Sequence, residues 1–117
     1  MNELNDLMQK VNKFRDDRNW RQFHNEKDLA ISVNLEASEL LELFQWQTSE
    51  ETVEENSPEL KEELADVLIY AFMLADNLDL DIKEIMEAKL KLDELKYPVE
   101  KSKNGLVAKT EKYYSSI

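Results

Sequence analysis

Residues 34–46 read NLEASELLELFQW and residues 62–74 read EELADVLIYAFML. Each stretch places two acids three residues apart, Glu36 with Glu39 and Glu63 with Asp66. On a helix that spacing turns both carboxylates to one face. Most acids in the chain sit among other polar residues, but these four lie within its most apolar segments. An anionic group on a burying face is costly unless something compensates it. A divalent cation held by oxygen ligands is the natural compensation, and four carboxylates converging on Mg²⁺ suit phosphate chemistry. Mn²⁺ is the alternative ion.

The composition carries the helical reading outward to the whole chain. With 117 residues there is room for one domain, spanning 1–117 with a tail over 99–117. One Gly and two Pro, against abundant Glu, Leu, Lys and Ala, predict long helices and few tight hairpins. The expected fold is an all-α four-helix bundle with an extended C-terminal tail.

The formal net charge of −11 argues against binding a nucleic-acid backbone, whose contacts come from Lys and Arg. It argues equally against an anionic membrane surface. A small anionic substrate needs a metal to bridge the repulsion. The absence of Cys excludes disulfides, thiolate zinc sites and cysteine nucleophiles. The start, MNELNDLMQK, lacks the basic and apolar runs of a signal peptide, and no apolar stretch is long enough to span a bilayer. A soluble, cytoplasmic protein is the expectation.

The first helix is predicted over residues 3–19 with Asn2 as N-cap, its apolar face carried by Leu4, Leu7, Met8, Val11 and Phe14. Residues 20–24, WRQFH, read as a connection. A second helix is expected over 26–46 or 47, followed by an acidic, aperiodic loop or loose helical turn over 48–56. Ser57-Pro58 signals the next helix, with Ser57 as N-cap, running to about residue 77. Asp81 and Glu84 have the form of a capping box opening a fourth helix that ends before Pro98.

Elimination narrows the chemistry. A single Gly rules out a glycine-rich phosphate loop, and one His without Cys rules out the familiar zinc sites. No nucleophile-elbow sequence accompanies His24. The spacing is weak evidence by itself, because 26 acidic residues supply other pairs such as Glu51/Glu54, Glu59/Glu62 and Glu84/Glu87. Context distinguishes the two motifs. The stripe of Glu63 and Asp66 continues into Tyr70, Met73 and Leu74, and that of Glu36 and Glu39 into Leu43 and Trp46. Acids at one end and an aromatic ring one or two turns away suit phosphates and a planar base. On a continuous helix Trp46 would lie about 10.5 Å beyond Glu39. Two core aromatics beside two surface acids would give the same pattern, so periodicity leaves both readings open.

At these residues the chain resembles the MazG-like all-α nucleoside triphosphate pyrophosphohydrolases, and among them the small dCTP pyrophosphatase type. The likeness runs from Phe14 to Lys112 and includes FRDDRNWRQFH, ELLELFQW, EELADVLIY and KYPVEKSK. It implies that Glu36, Glu39, Glu63 and Asp66 bind Mg²⁺, and that a (deoxy)nucleoside triphosphate, dCTP or a modified one among the candidates, is cleaved to monophosphate and pyrophosphate in nucleotide-pool house-cleaning. Base recognition falls by the same likeness on Trp20, His24, Trp46 and Tyr70, with Gln22 and Phe23 in the same segment. Two departures stand out. Leu35 takes the place of a further Glu common in the family, and Asp93 that of an Asn, which leaves Asp93 and Lys89 in doubt as substrate contacts. Glu39 or Glu36 orients the attacking water.

A four-helix subunit is expected to leave apolar residues uncovered, including Leu78, Leu80, Ile82, Ile85 and Met86, which points to a homodimer or homotetramer, as in family members. His24 as a structural or capping residue, and Trp46 as core packing, are the competing assignments. At the level of the whole protein the rivals are a non-enzymatic helical interaction protein and an acidic mimic of DNA, neither of which needs metal at the four acids.

Overall fold

The computed structural model describes residues 2–103, and these contain helices and turns but no strand. Six α-helices follow in order: α1 (Glu3–Asp17), α2 (Glu26–Glu42), α3 (Ser49–Glu55), α4 (Ser57–Asn77), α5 (Ile82–Lys96) and α6 (Val99–Ser102). A 3₁₀ turn over Arg21–Phe23 joins α1 to α2. The four longer helices begin close to where the sequence predicts them, but α3 and α6 bring the count among the described residues to six rather than the expected four. The chain divides into two compact units between Leu80 and Asp81.

In the first unit α2 and α4 form the principal packed pair, with α1 and α3 also laid against α4. Val11, Leu29, Phe72, Met73 and Ala75 are its buried apolar residues. The α1 stripe that reaches this core is Leu4, Met8, Val11 and Arg15, at helical spacing. Its fourth member is an arginine with no exposed surface.

Caps fix the helix starts. The Asn2 side chain accepts from Leu4 N at 2.9 Å, as expected. Residues 48–56, expected to be a loop or a loose helical turn, hold the seven-residue helix α3, because Thr48 and Glu51 form a reciprocal capping box. Asn56 rather than Ser57 is the cap of α4, with Ser57 and Pro58 already inside the helix.

Among the described residues, helix ends are made without glycine. Asn19 and Asp79 adopt φ of 56°, and each follows a helix closed by paired bonds of the Schellman type. After α1, Trp20 N donates to Arg15 O and Asn19 N to Asp16 O; after α4, Leu80 N donates to Ala75 O and Asp79 N to Asp76 O. Asn and Asp tolerate this conformation. The first helix accordingly stops at Asp17, two residues before its predicted end. The second stops at Glu42 rather than at 46 or 47, and the chain runs on through turns in which Trp46 has φ of 64°.

In the second unit, Asp81 caps α5 by accepting from Glu84 N at 2.9 Å. The tail, expected to be extended from residue 99, begins with the single helical turn α6; its remainder lies outside the described residues.

Candidate active site

α2 and α4 bring the two acid motifs together. One carboxylate oxygen each from Glu36, Glu39 and Glu63 lies within 4.8 Å of the others. Glu36 and Glu63 are half-buried, and each has a buried Oε2 without a hydrogen-bond donor. An occluded carboxylate oxygen lacking a donor is costly. The cost is consistent with a cation site, since oxygen-only ligands at this spacing suit a hard divalent ion. The residues present therefore fit Mg²⁺ or Mn²⁺. Asp66, one turn beyond Glu63 and exposed, lies outside this trio. Its charge nevertheless acts on Glu36, Glu63 and Tyr70.

The electrostatics match the geometry. Loss of solvent, then hydrogen bonding with Glu39 and the repulsion of Glu39, Asp66 and Glu63, raises the Glu36 carboxyl from 4.5 to about 7. Glu63 is raised by the same kinds of cause, desolvation first. The Tyr70 hydroxyl is raised by burial and by the neighbouring carboxylates.

Beside the acids lies a groove of about 590 Å³ between α1 and α4, lined mainly by apolar side chains such as Val11, Phe14, Leu68 and Phe72. Trp20, Tyr70 and Asp66 also line it, so the groove reaches the acidic motifs through Asp66, while none of the trio lines it. Trp20 meets Phe14 edge-on at 5.4 Å and His24 edge-on at 6.2 Å. His24 is half-buried, and its pKa is lowered by burial and by the charges of Arg15 and Arg21. Gln22 and Phe23 are exposed on the 3₁₀ turn, with Gln22 Nε2 donating to Asn19 O at 2.8 Å.

Trp46 stands apart from the groove. Because α2 ends at Glu42, Trp46 does not continue the Glu36–Glu39 stripe, and 93% of it is exposed. Core packing is thereby excluded for it in this chain. The turn that carries it is pinned through Gln47, whose Oε1 accepts from the fully buried Thr52 hydroxyl at 2.9 Å and from Asn56 Nδ2 at 3.4 Å. Lys89 and Asp93 lie on α5 in the second unit, where Lys89 Nζ bonds Asp93 Oδ1 at 2.7 Å.

One constellation escaped the sequence reading. The buried Arg15 guanidinium donates to Asp76 Oδ2 at 2.7 Å, Asn77 Oδ1 at 3.0 Å and Asn12 Oδ1 at 3.2 Å. Arg21 shares the same Asp76 oxygen at 3.0 Å and also pairs with Asp16. Asn77 in turn donates to the His24 carbonyl. The available signal was Arg15 itself, a charge set on the apolar stripe of α1.

The sequence profile of the MazG-like family matches residues 31–115, and so extends over both acid motifs. The chain belongs to the MazG-like family. It is 34% identical to a mouse dCTP pyrophosphatase 1 over 87% of its own length and 63% of that protein's. The bovine dCTP pyrophosphatase 1 is 35% identical over the same shares. This MazG-like chain thus spans just under two thirds of those relatives. A solved pyrophosphatase from Archaeoglobus fulgidus superposes with a TM-score of 0.78 at 38% identity, covering 84% of this chain and 94% of that one.

Proposed function

We propose that this MazG-like chain is a divalent-cation-dependent nucleoside triphosphate pyrophosphohydrolase, and that it forms a single catalytic domain. The observation that carries the reading is the Glu36–Glu39–Glu63 cluster with its two occluded, donorless oxygens, next to which Asp66 borders a groove that also holds Trp20 and Tyr70. The names of its relatives favour dCTP or another deoxynucleoside triphosphate as substrate. A family match that crosses the boundary between the two units supports one domain.

Glu36, Glu39, Glu63 and Asp66 would hold the ion or ions. When bound, Mg²⁺ neutralises the triphosphate and stabilises charge on the departing pyrophosphate. Trp20 and Tyr70 receive the base in the groove, with His24 edge-on to Trp20. Glu39, the exposed member of the trio, would orient water and accept its proton, with Glu36 the alternative. The water oxygen bonds to the α-phosphorus while the bond from that phosphorus to the α–β bridging oxygen breaks. Pyrophosphate leaves with the electron pair, and the proton passes from the carboxylate to solvent.

A homo-oligomer belongs to the same reading. Ile31, Leu35, Leu41, Leu64 and Leu68 in the first unit are exposed, as are Ile85, Met86 and Leu90 in the second. Trp46, held out from its own chain, is suited to complete a site in a neighbouring subunit. The nucleotide pool makes the cytoplasm the expected location, and no helix among the described residues is long and apolar enough to cross a membrane. Nucleic acid is not an expected partner.

The direct test is a panel of ribo- and deoxynucleoside triphosphates with Mg²⁺, assayed for pyrophosphate and monophosphate. Mg²⁺-dependent release of both products from at least one nucleotide is expected. Release of orthophosphate alone, or no turnover with any nucleotide, would overturn the proposal.

A further inference from the structure

The segment 20–24 has little internal means of holding its shape. Its 3₁₀ turn is three residues long and has no side-chain cap, and such turns are weakly stabilised by their own bonds. Yet the segment is tied at three points to the meeting ends of α1 and α4. Trp20 N donates to Arg15 O, the Arg21 guanidinium spans Asp16 and Asp76, and the His24 carbonyl accepts from Asn77 Nδ2. Asn77 therefore faces two ways, because its Oδ1 accepts from the buried Arg15. That bond fixes the amide orientation needed to donate to His24.

We propose that Asn77, oriented by Arg15 and supported by Asp76, is a positioning residue that sets the 20–24 turn and so places Trp20 in the groove to receive the nucleotide base. The inference rests on the reading of that groove as the base subsite. None of Arg15, Asp76 and Asn77 lines the groove. Their influence passes through the backbone on either side of Trp20. Asp76 is central because both guanidiniums share one of its oxygens, and its charge offsets the repulsion between them. The effect belongs to binding rather than chemistry, since the carboxylate trio draws on none of these contacts.

Asn77→Asp tests the inference. It keeps an acceptor for Arg15 but replaces the donor to His24 with an acceptor. Arg21→Gln loosens the turn from its exposed side and is the second variant, decisive if the first does not fold. The expected result for each is a KM raised about tenfold with kcat within about threefold of the parent, the signature of lost binding. Mg²⁺ affinity should be unchanged. The sequence has one His, so a single set of imidazole NMR signals reports the turn directly; these should shift in both variants.

Unchanged KM and unmoved His24 signals would overturn the inference. So would losses of kcat, nucleotide affinity and metal affinity that simply track the folded fraction, for they would show structural support alone. If the parent turns over no nucleotide, the enzymatic reading fails separately. The His24 signals then decide whether the tether exists, with shifted signals supporting it and unmoved signals overturning it.

Discussion

Glu36 on α2 and Glu63 on α4 face each other across the main helix pair, each with a buried Oε2 that meets no donor. A pair of helices could bury leucines there and gain stability. Instead the seam gathers like charges, with Glu39 beside both and Asp66 one turn away. Such a seam is unfavourable to the metal-free fold, and a cation bound there would offset the repulsion, so the proposed ion binding would be linked to stability.

The first prediction concerns pH. Glu36 titrates at about 7 in the fold, against 4.5 as its ordinary value, so the folded state holds the proton more tightly. Stability of the metal-free protein is therefore expected to fall as pH rises from 4.5 to about 7, with the full penalty present above that. Asp76 acts in the opposite direction. Burial opposes its ionisation, but hydrogen bonds with Arg21 and Asn12 and the charges of Arg21 and Arg15 outweigh that and hold it below 3.8, so its contribution is present above that value and is lost in stronger acid. The metal-free optimum is expected in mildly acidic solution. Melting in EDTA across pH 3–8, with Mg²⁺ at matched ionic strength as comparison, measures this. At about 100 times its dissociation constant Mg²⁺ should add about 2.7 kcal/mol, most visibly at neutral pH. A melting temperature that is flat in EDTA and indifferent to Mg²⁺ would contradict the linkage.

The second prediction separates site acids from surface acids. Glu36→Gln and Glu63→Gln keep the volume and remove repulsion, so the metal-free fold should melt at or above the parent's temperature. Metal binding and turnover should fall by orders of magnitude, because the charges that hold the ion are gone. Glu54→Gln is the control, an exposed acid outside the seam. Glu51 is a poorer control, since its side chain completes the Thr48 capping box. Calorimetric Mg²⁺ titration of the three variants decides the matter; equal losses in all three would indicate a diffuse charge effect.

The helices and the carboxylate seam were legible because their signals are local. Ser57-Pro58 opens α4, helical periodicity carries it to Asn77, and acids set among Leu, Val and Ile mark their own exception. The full length of α3 was missed: Thr48-x-x-Glu51 is a local signal, but the lack of an apolar period hid the capping box. The end of α2 was harder to find. No Gly stands there, and the chain turns by placing a tryptophan in a conformation that Gly or Asn would ordinarily supply. Least legible was the Arg15–Asp76 pair, separated by 61 residues, in which each charge taken alone resembles a surface residue. Only the place of Arg15 on the stripe with Val11 sets it apart.

The third prediction tests that pair. Removing one partner of a buried ion pair leaves a charge uncompensated, at a cost of about 3–5 kcal/mol when both are fully enclosed. The Arg15 side chain has no exposed surface, but Asp76 retains 27%, so Asp76→Ala should lie at the low end of that range. Lys13→Ala breaks an exposed α1 pair with Asp17 and should cost less than about 1 kcal/mol. Urea denaturation of both variants at pH 7 makes the comparison. Equal costs would remove Arg15 and Asp76 as structural anchors of the α1–α4 junction.

The last prediction sets stability against function at Trp46. A bulky residue at φ of 64° carries backbone strain of about 1–3 kcal/mol, and this ring recovers little by packing, since 93% of it is exposed. The turn stays in place through the Gln47–Thr52 hydrogen bond, which does not involve the indole. Trp46→Gly is therefore expected to melt no lower than the parent, because glycine accepts this conformation without a Cβ clash. If the ring stacks on a nucleotide base, its loss should raise KM about tenfold, in line with stacking worth roughly 1–3 kcal/mol per base in single-strand binders. Mg²⁺ affinity should be untouched, and Trp46→Phe should recover part of the binding. Sedimentation of the same variants distinguishes a second role: if Trp46 also seats against a neighbouring subunit, Trp46→Gly will dissociate at protein concentrations where Trp46→Phe remains assembled. A variant with parental KM and parental assembly would leave the strain at Trp46 without a function and confine base recognition to Trp20, Tyr70 and His24.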